Sequence, residues 1–288
     1  QLSRRLGTHQ RLGVRAHRRP ERGQSHGMKK DVWAAGDLYE PYVGRWSRVV
    51  AHEFLAWLDV PRGARWLDVG CGTGALTQTI LRDCAPRSVH GVDPSAGFIE
   101  TARRRTNGAS FEVGDAQALP AKDGEYNAAV AGLVLNFVPK PERAAAEMRR
   151  AVRAGGTVGV YVWDYAGKME LMRYFWDAAV ELDPATRTLD EGLRFPLCNE
   201  KALRTLFREI DLRDVGVRAI DAPTPFRDFD DYWTPFLGGQ GPAPTYCMSL
   251  DEGRRAALRD RIRSKLPLRA DGSIQLVARA WAVKGSVG

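Results

Sequence analysis

The sequence lacks the residue patterns that bind structural metals or build disulfide frameworks. Among its 288 residues the five histidines show no paired ligand spacing, and three of them lie before residue 27. No two cysteines are spaced C-x-x-C; the four are Cys71, Cys84, Cys198 and Cys247. We therefore expect neither a metal site nor a disulfide framework, and sparse cysteines are typical of a reducing cytoplasm.

Long apolar runs and internal repeats are also absent. No stretch approaches the roughly 20 apolar residues that cross a bilayer, and nothing resembles the apolar centre of a signal peptide. The composition, 44% hydrophobic and 27% charged, is ordinary for a globular protein. We predict a soluble cytoplasmic protein without a membrane partner, large enough for one sizeable α/β domain.

Acidic side chains are scarce in the first 30 residues, which hold nine basic groups and only Glu21 as an acid. This segment accounts for the whole formal charge of +8, so residues 31–288 are balanced. We expect residues 1–27, which precede Met28, to be a disordered or non-native extension of a single domain over 28–288. The alternative is a basic arm that contacts the phosphates of RNA or of a membrane surface. The balanced remainder argues against a nucleic-acid partner.

The most informative stretch is WLDVGCGTGAL, from Trp66 to Leu76. A short apolar run with an acid, three alternate glycines and a helix-like continuation through Leu81 predict a strand, a tight loop and a helix start. Glycines permit positive φ and close approach of a ligand, and the first amides of a helix have no intrahelical partner. The loop is therefore a candidate ligand cradle.

Three later segments predict further strands that end in polar groups. Residues 88–93 end in Asp93, about 20 residues after the loop, where a carboxylate can accept both hydroxyls of a ribose. Residues 111–120 form a third strand whose Asp115 could accept an adenine amino hydrogen, and residues 126–137 form a fourth, ending near Asn136. A further strand is expected over 153–164.

Together these motifs resemble the class I S-adenosylmethionine-dependent methyltransferases of the type 11, small-molecule kind, from about Tyr39 to Trp163. The resemblance implies S-adenosylmethionine as cofactor, with the loop beside its methionine part, Asp93 on the ribose, and the Asp115 stretch beside the adenine. In that family the pattern Tyr-x-x-Tyr-x-Gly-Arg-Trp-Ser covers the cofactor. Arg45 is then a candidate partner for the methionine carboxylate, or a surface arginine at a helix start.

The residues that the resemblance places at the cofactor are Tyr42, Arg45, Asp68, Gly70, Gly72, Thr73, Gly74, Asp93, Pro94, Ser95, Asp115, Ala116, Gln117 and Asn136.

A nicotinamide or flavin oxidoreductase is the competing interpretation, because Gly70, Gly72 and Ala75 satisfy the form G-x-G-x-x-A. The acid before the first glycine and the Asp115-Ala116 pair favour the methyltransferase. A methyltransferase of RNA or protein is a further alternative, although no Asn-Pro-Pro-Tyr or Asp-Pro-Pro-Tyr motif follows the fourth strand.

Alternating strands and helices predict a Rossmann-like α/β fold: a doubly wound, mostly parallel seven-stranded sheet with helices on both faces and an antiparallel final strand. Helices are expected over 75–83, 96–106, 142–152, 169–182 and 200–210, and an amphipathic one over 250–266. The sixth strand is expected over 213–220 and the last over 273–283. Ligands bind at the carboxyl ends of strands in such a sheet.

Two segments outside this pattern are candidates for the acceptor side. Residues 164–210, the lid segment, form an insertion rich in apolar residues, and residues 226–248, the aromatic segment, combine aromatic side chains with a glycine loop. The lid segment is either core packing or a lid over the substrate, and we expect a lid with core packing on its underside. The rings of the aromatic segment either enclose a planar or greasy small-molecule acceptor or pack the lid onto the sheet. No general base is identified: Asp164, Tyr161 and Asn136 are expected near the right strand ends, each equally suited to a structural role. The acceptor atom, whether O, N or C, is left open.

Overall fold

The computed structural model describes residues 45–239 and 241–288. Tyr42 and the predicted extension over 1–27 lie outside the described residues. The side chain of Arg45 also lies outside the description, although its backbone opens the first helix.

Strands and helices alternate from residue 45 to residue 163, except that no helix lies between the third and fourth strands. In chain order the elements of the described chain are α1 (Arg45–Leu58), β1 (Arg65–Val69), α2 (Ala75–Asp83), β2 (Ser88–Asp93), α3 (Ala96–Arg105), β3 (Ser110–Val113), β4 (Tyr126–Gly132), α4 (Pro141–Ala151), β5 (Val152–Trp163), α5 (Glu170–Leu182), α6 (Glu191–Arg194), α7 (Glu200–Glu209), β6 (Arg213–Phe226), α8 (Phe229–Trp233), α9 (Pro242–Ser249), α10 (Glu252–Lys265) and β7 (Ile274–Ser286). Short 3₁₀ helices cover Leu135–Phe137, Pro184–Leu189 and Thr234–Gly238.

The seven strands form one sheet in the order β3-β2-β1-β4-β5-β7-β6. Strands β1 to β5 are parallel, and β7 runs antiparallel to both of its neighbours, β5 and β6. This confirms the predicted seven-stranded, mostly parallel sheet with an antiparallel final strand. The strand order reverses between β1 and β4, which is where such sheets bind ligands.

The centre of the sheet is apolar on both sides. In β4 the segment from Ala128 to Ala131 has no exposed surface, as expected for a parallel strand covered on both faces. Helix α1 packs across β5 at Gly159, where an added Cβ would lie 2.8 Å from Leu58 Cδ2 and 2.9 Å from Phe54 Cζ. Close helix-to-sheet contact therefore depends on the missing side chain of Gly159.

We expect Gly159→Ala to lower the free energy of unfolding by about 1–3 kcal/mol, because the new methyl group overpacks this contact. Gly253→Ala in α10 is the matched control, since its nearest neighbour would be Asp251 Oδ1 at 3.5 Å. That change should be neutral or stabilising by about 0.5 kcal/mol. Urea unfolding of both variants measures the difference. Equal free energies of unfolding would show that α1 can move away from β5 without loss of stability.

Two strand ends differ from the sequence-based prediction. β4 ends at Gly132 instead of near Asn136, because Leu133 has φ of 59° and turns the chain into the 3₁₀ helix that carries Asn136. β6 continues past Ile220 to Phe226. Beyond the pair Trp163↔Ala280, at which β5 ends, β6 and β7 remain paired for six more residues, about 20 Å of two-stranded ribbon.

The lid segment is anchored on this ribbon. Val277 N donates to Glu170 Oε2 at 2.7 Å, and Met169 forms a bridge with Ala278. Within the segment the Arg173 guanidinium donates hydrogen bonds to both carboxylate oxygens of Asp190, at 2.9 and 2.7 Å. These contacts fix the segment at the edge of the sheet formed by the carboxyl ends of the parallel strands, here called the carboxyl edge.

The aromatic segment is mostly helical, and its rings pack against the lid segment. Phe236 stacks on Phe175 with centroids 4.6 Å apart, and the Tyr232 hydroxyl donates to Leu171 O at 2.8 Å. The rings that are buried in this way are Phe175, Trp176, Phe226, Phe229, Tyr232, Trp233 and Phe236. Of the two alternatives for these aromatic side chains, packing is the one observed.

Among the described helices none is both long and apolar enough to cross a bilayer. Over the same residues no group of three or more His, Cys, Asp or Glu side chains has a geometry suited to a metal ion.

Candidate functional site

The loop from Gly70 to Gly74, called the cofactor loop, leaves β1 at the carboxyl edge and leads into α2. Its three glycines have φ of 70°, 52° and 92°, the left-handed region that L side chains rarely adopt. A Cβ on Gly70 would lie 2.5 Å from Val134 Cγ2, whereas a Cβ on Gly72 would meet no atom within 4 Å. Gly70 therefore serves packing within the protein, and Gly72 faces open space.

Asp93, at the end of β2, holds the cofactor loop in place by a hydrogen bond. Its Oδ2 accepts from Gly72 N at 3.0 Å and its Oδ1 from Ser95 N at 2.8 Å. Desolvation raises the pKa of this 6% exposed carboxyl above its ordinary value, opposed by the two backbone donors. Each oxygen retains a second lone pair, so the carboxylate can still accept from a ligand hydroxyl.

Asp68 lies beneath the loop and is 1% exposed. Thr77, in the first turns of α2, donates to its Oδ2 at 2.6 Å, while Oδ1 has no hydrogen-bond partner among the described residues. Burial raises the pKa of Asp68 from 3.8 to about 7, and the hydrogen bond from Thr77 partly opposes that rise. The unpartnered oxygen is suited to a positively charged or hydrogen-donating ligand.

This raised pKa predicts a pH-dependent stability. Because the folded state holds the proton of Asp68 more tightly than the unfolded state, stability falls as pH rises from about 4 to about 7. Asp68→Asn should therefore be more stable than the wild type at pH 8 by roughly 1–3 kcal/mol, with the difference shrinking towards pH 5. Urea titrations at the two pH values test this, and a pH-independent difference would contradict it.

The stretch Asp115 to Gln117 follows β3 next to the site of Asp93. Gly114 N donates to Asp93 O at 3.1 Å, which ties the two strand ends together. Asp115 is exposed, and its Oδ1 accepts from Gln117 N at 2.8 Å; Ala116 is half-buried. Asp115 thus orders its own turn while its carboxylate remains open to solvent.

Asn136 lies in the 3₁₀ helix after β4, on the other side of the loop. Its amide Nδ2 and Oδ1 are both buried without a hydrogen-bond partner in the described chain. Val134, two residues earlier, is the neighbour that excludes a side chain at Gly70. A buried amide without partners is costly, and here it stands where the carboxyl edge meets the cofactor loop.

The remaining sequence-predicted residues differ in burial and in the contacts they make. Thr73 is half-buried and Pro94 is exposed, while Ser95 caps α3 by accepting from Phe98 N at 3.3 Å. Asp164 accepts from Gly167 N and Lys168 N at 3.1 and 3.0 Å, which is the role of a turn-forming residue. Tyr161 is 3% exposed, packed against Phe54 and Gly132.

One residue that sequence reasoning missed is Thr77. Its position three residues after Gly74, in the first turn of the helix that follows the loop, was the available signal.

Comparison with known proteins finds a match for the segment that contains the cofactor loop, Asp93 and Asn136. Residues 67–160 match the family model described as a methyltransferase domain. A demethylmenaquinone methyltransferase of Renibacterium salmoninarum is 36% identical over 116 residues, which are 40% of this chain and 46% of that protein. The chain spans between 33% and 49% of the length of the first curated relatives it matches.

Solved structures share the fold. A putative methyltransferase of an antibiotic biosynthesis pathway from Anabaena variabilis has a TM-score of 0.58 at 18% identity, covering 82% of this chain and 98% of its own. A phosphoethanolamine N-methyltransferase of Haemonchus contortus, in complex with S-adenosylhomocysteine, has a TM-score of 0.52 at 14% identity, covering 83% and 53%. Residues 67–160 are thus similar to a methyltransferase domain, and the seven-stranded sheet that contains them has the fold of solved methyltransferases.

Proposed function

We propose that this protein transfers the methyl group of S-adenosylmethionine to a small organic acceptor. The observation that carries the proposal is the cradle at the carboxyl edge, where the Gly72 backbone faces open space beside an Asp93 carboxylate with spare lone pairs and an Asp68 oxygen without a partner. These groups fit an adenosyl cofactor with a cationic amino-acid part. The family match over 67–160 supports the same conclusion.

In this proposal each residue of the cradle contacts a different part of the cofactor. The loop amides and the N-terminus of α2 lie along the methionine part, with Asp68 below it. Asp93 accepts from the ribose hydroxyls, and the turn formed by Asp115, Ala116 and Gln117 borders the adenine. Tyr42 and Arg45 stay predicted contacts from the N-terminal side.

The acceptor is proposed to lie next to Asn136. Bound S-adenosylmethionine supplies a methyl group on a positively charged sulfur, so the protein has mainly to align the acceptor with that bond and exclude water. Phe195 of the lid segment packs against Phe137, which follows β4, and Tyr165, which follows β5, with centroid distances of 5.0 and 5.2 Å. This aromatic cluster lies at the carboxyl ends of β4 and β5 and favours an organic acceptor of modest polarity.

Isothermal titration of S-adenosylmethionine and, separately, of NADPH into the full chain tests the cofactor. We expect saturable binding of the first and none of the second, and binding of NADPH alone would restore the oxidoreductase alternative. Transfer of labelled methyl groups to a panel of small carboxylates, phenols, quinols and amines then tests the acceptor class. Label that appears only in added RNA or protein would overturn the small-molecule proposal.

A further inference from the structure

A second candidate site lies at the opposite edge of the sheet, in a cleft of about 530 Å³. Helix α4 ends there just before β5 begins, and α7 ends there just before β6, so the cleft adjoins the amino ends of the parallel strands. We call it the arginine cleft; its lining residues are Arg149, Arg208, Asp211, Leu212, Arg213 and Gly288. The seven residues of β4 separate this edge from the carboxyl edge by about 20 Å.

Among the described side chains that line the cleft, three carry guanidinium groups and one, Asp211, carries a carboxylate. In the described chain no ion pair or hydrogen bond engages the guanidinium group of Arg149, Arg208 or Arg213. The neighbouring Arg150 shows the usual alternative, since it bonds to Glu147 at 2.8 Å and Asp123 at 2.7 Å. Three unpaired guanidinium groups around one cleft repel one another unless an anion joins them.

Arg149 supplies an independent sign of a missing partner. Its Nε is buried and has no hydrogen-bond acceptor among the described residues. The C-terminal ends of α4 and α7 carry partial negative charge, which accounts for arginines near them, but no carbonyl oxygen of the described chain accepts from this N–H. Gly288 lies against Arg213, since an added Cβ would be 2.6 Å from the guanidinium Nε.

We propose that the arginine cleft binds a ligand that presents a phosphate group. A tetrahedral phosphate offers several oxygens with two negative charges, and guanidinium groups bind it through paired N–H donors. The binding is independent of the cofactor site, because the two sites lie at opposite edges of the sheet. The phosphate comes either from a free inorganic anion or from a phosphorylated organic molecule.

The test is isothermal titration of the full chain with inorganic phosphate, pyrophosphate and glycerol 3-phosphate, each at an ionic strength held constant with chloride. We expect saturable one-to-one binding of at least one probe, weakened about tenfold in both Arg149→Gln and Arg213→Gln. Arg87→Gln is the matched control, because Arg87 is exposed and its side chain has no bonded partner in the described chain. It should bind the probe as the wild type does.

Binding of S-adenosylmethionine measured on the same variants should stay within about twofold of the wild type, which separates this proposal from the proposed function. Probe binding that all three variants lose equally would show a non-specific charge effect and overturn the proposal. No saturable heat up to about 10 mM of any probe would also overturn it. Arg213 is exposed, so its variant keeps the test valid if Arg149→Gln fails to fold.

Discussion

Asp93→Ala is expected to weaken S-adenosylmethionine binding by about 100-fold or more. The change removes the charged acceptor proposed for the ribose, worth about 1.5–3 kcal/mol per hydrogen bond. It also frees Gly72 N and Ser95 N, so the cofactor loop loses the contact that fixes it to β2. Isothermal titration measures the loss of affinity.

The fold should survive this substitution. The carboxyl of Asp93 is desolvated, so its removal relieves part of the cost of burying a charge while it leaves two amides unpaired. We expect a change in the free energy of unfolding of no more than about 2 kcal/mol. Asp123→Ala, which removes an exposed carboxylate paired with Arg150, is the control and should bind the cofactor normally. Wild-type affinity in folded Asp93→Ala would remove Asp93 from the site.

The second large effect is a contrast between two glycines of the cofactor loop. Gly72→Val should abolish measurable S-adenosylmethionine binding while the chain still folds, because its side chain would extend into open space that we assign to the cofactor. The left-handed backbone costs about 1–2 kcal/mol for a residue with a Cβ, which lowers the melting midpoint by about 2–8 °C in a protein of this size.

Gly70→Val should instead fail to fold stably. Its Cβ would lie between 2.5 and 2.9 Å from three side-chain atoms of Val134, including Cβ, so the two residues cannot both keep their positions. Circular dichroism melting together with calorimetric titration distinguishes the two outcomes. If Gly72→Val retains affinity within about tenfold, the cofactor does not pass over Gly72, and the placement of the methionine part is wrong.

Local chemistry explains why the cofactor loop could be predicted accurately. The glycine spacing and the apolar periodicity of residues 75–83 define a strand, loop and helix within 20 residues, and α2 spans the predicted range. The end of β6 could not be predicted in this way. Its second half carries Pro223 and Pro225, and proline, which has no N–H donor, argues against a strand. β6 is however an edge strand, in which a proline can lie where no hydrogen bond to a neighbouring strand is needed.

The candidate site also combines residues that the sequence identifies with contacts that it does not. The carboxylates of Asp68 and Asp93 were identifiable because they follow apolar strand segments, whose carboxyl ends share one edge of a parallel sheet. The pairing of Asp68 with Thr77, the buried amide of Asn136 and the arginine cleft were not identifiable. Each depends on which distant elements meet: the cleft alone is lined by residues of α4, of α7, of the start of β6 and of the segment after β7.

By itself the sequence determined the alternation of strands and helices, the glycine cradle and the concentration of net charge in the first 30 residues, because these follow from spacing and composition within short windows. Only the tertiary structure decided whether an aromatic or polar side chain faces a ligand or another side chain. Phe175 and Phe236 have the composition of a binding surface, but they stack on each other, since their helices pack together over the β6–β7 ribbon. Contacts between segments 60 residues apart leave no trace in local periodicity.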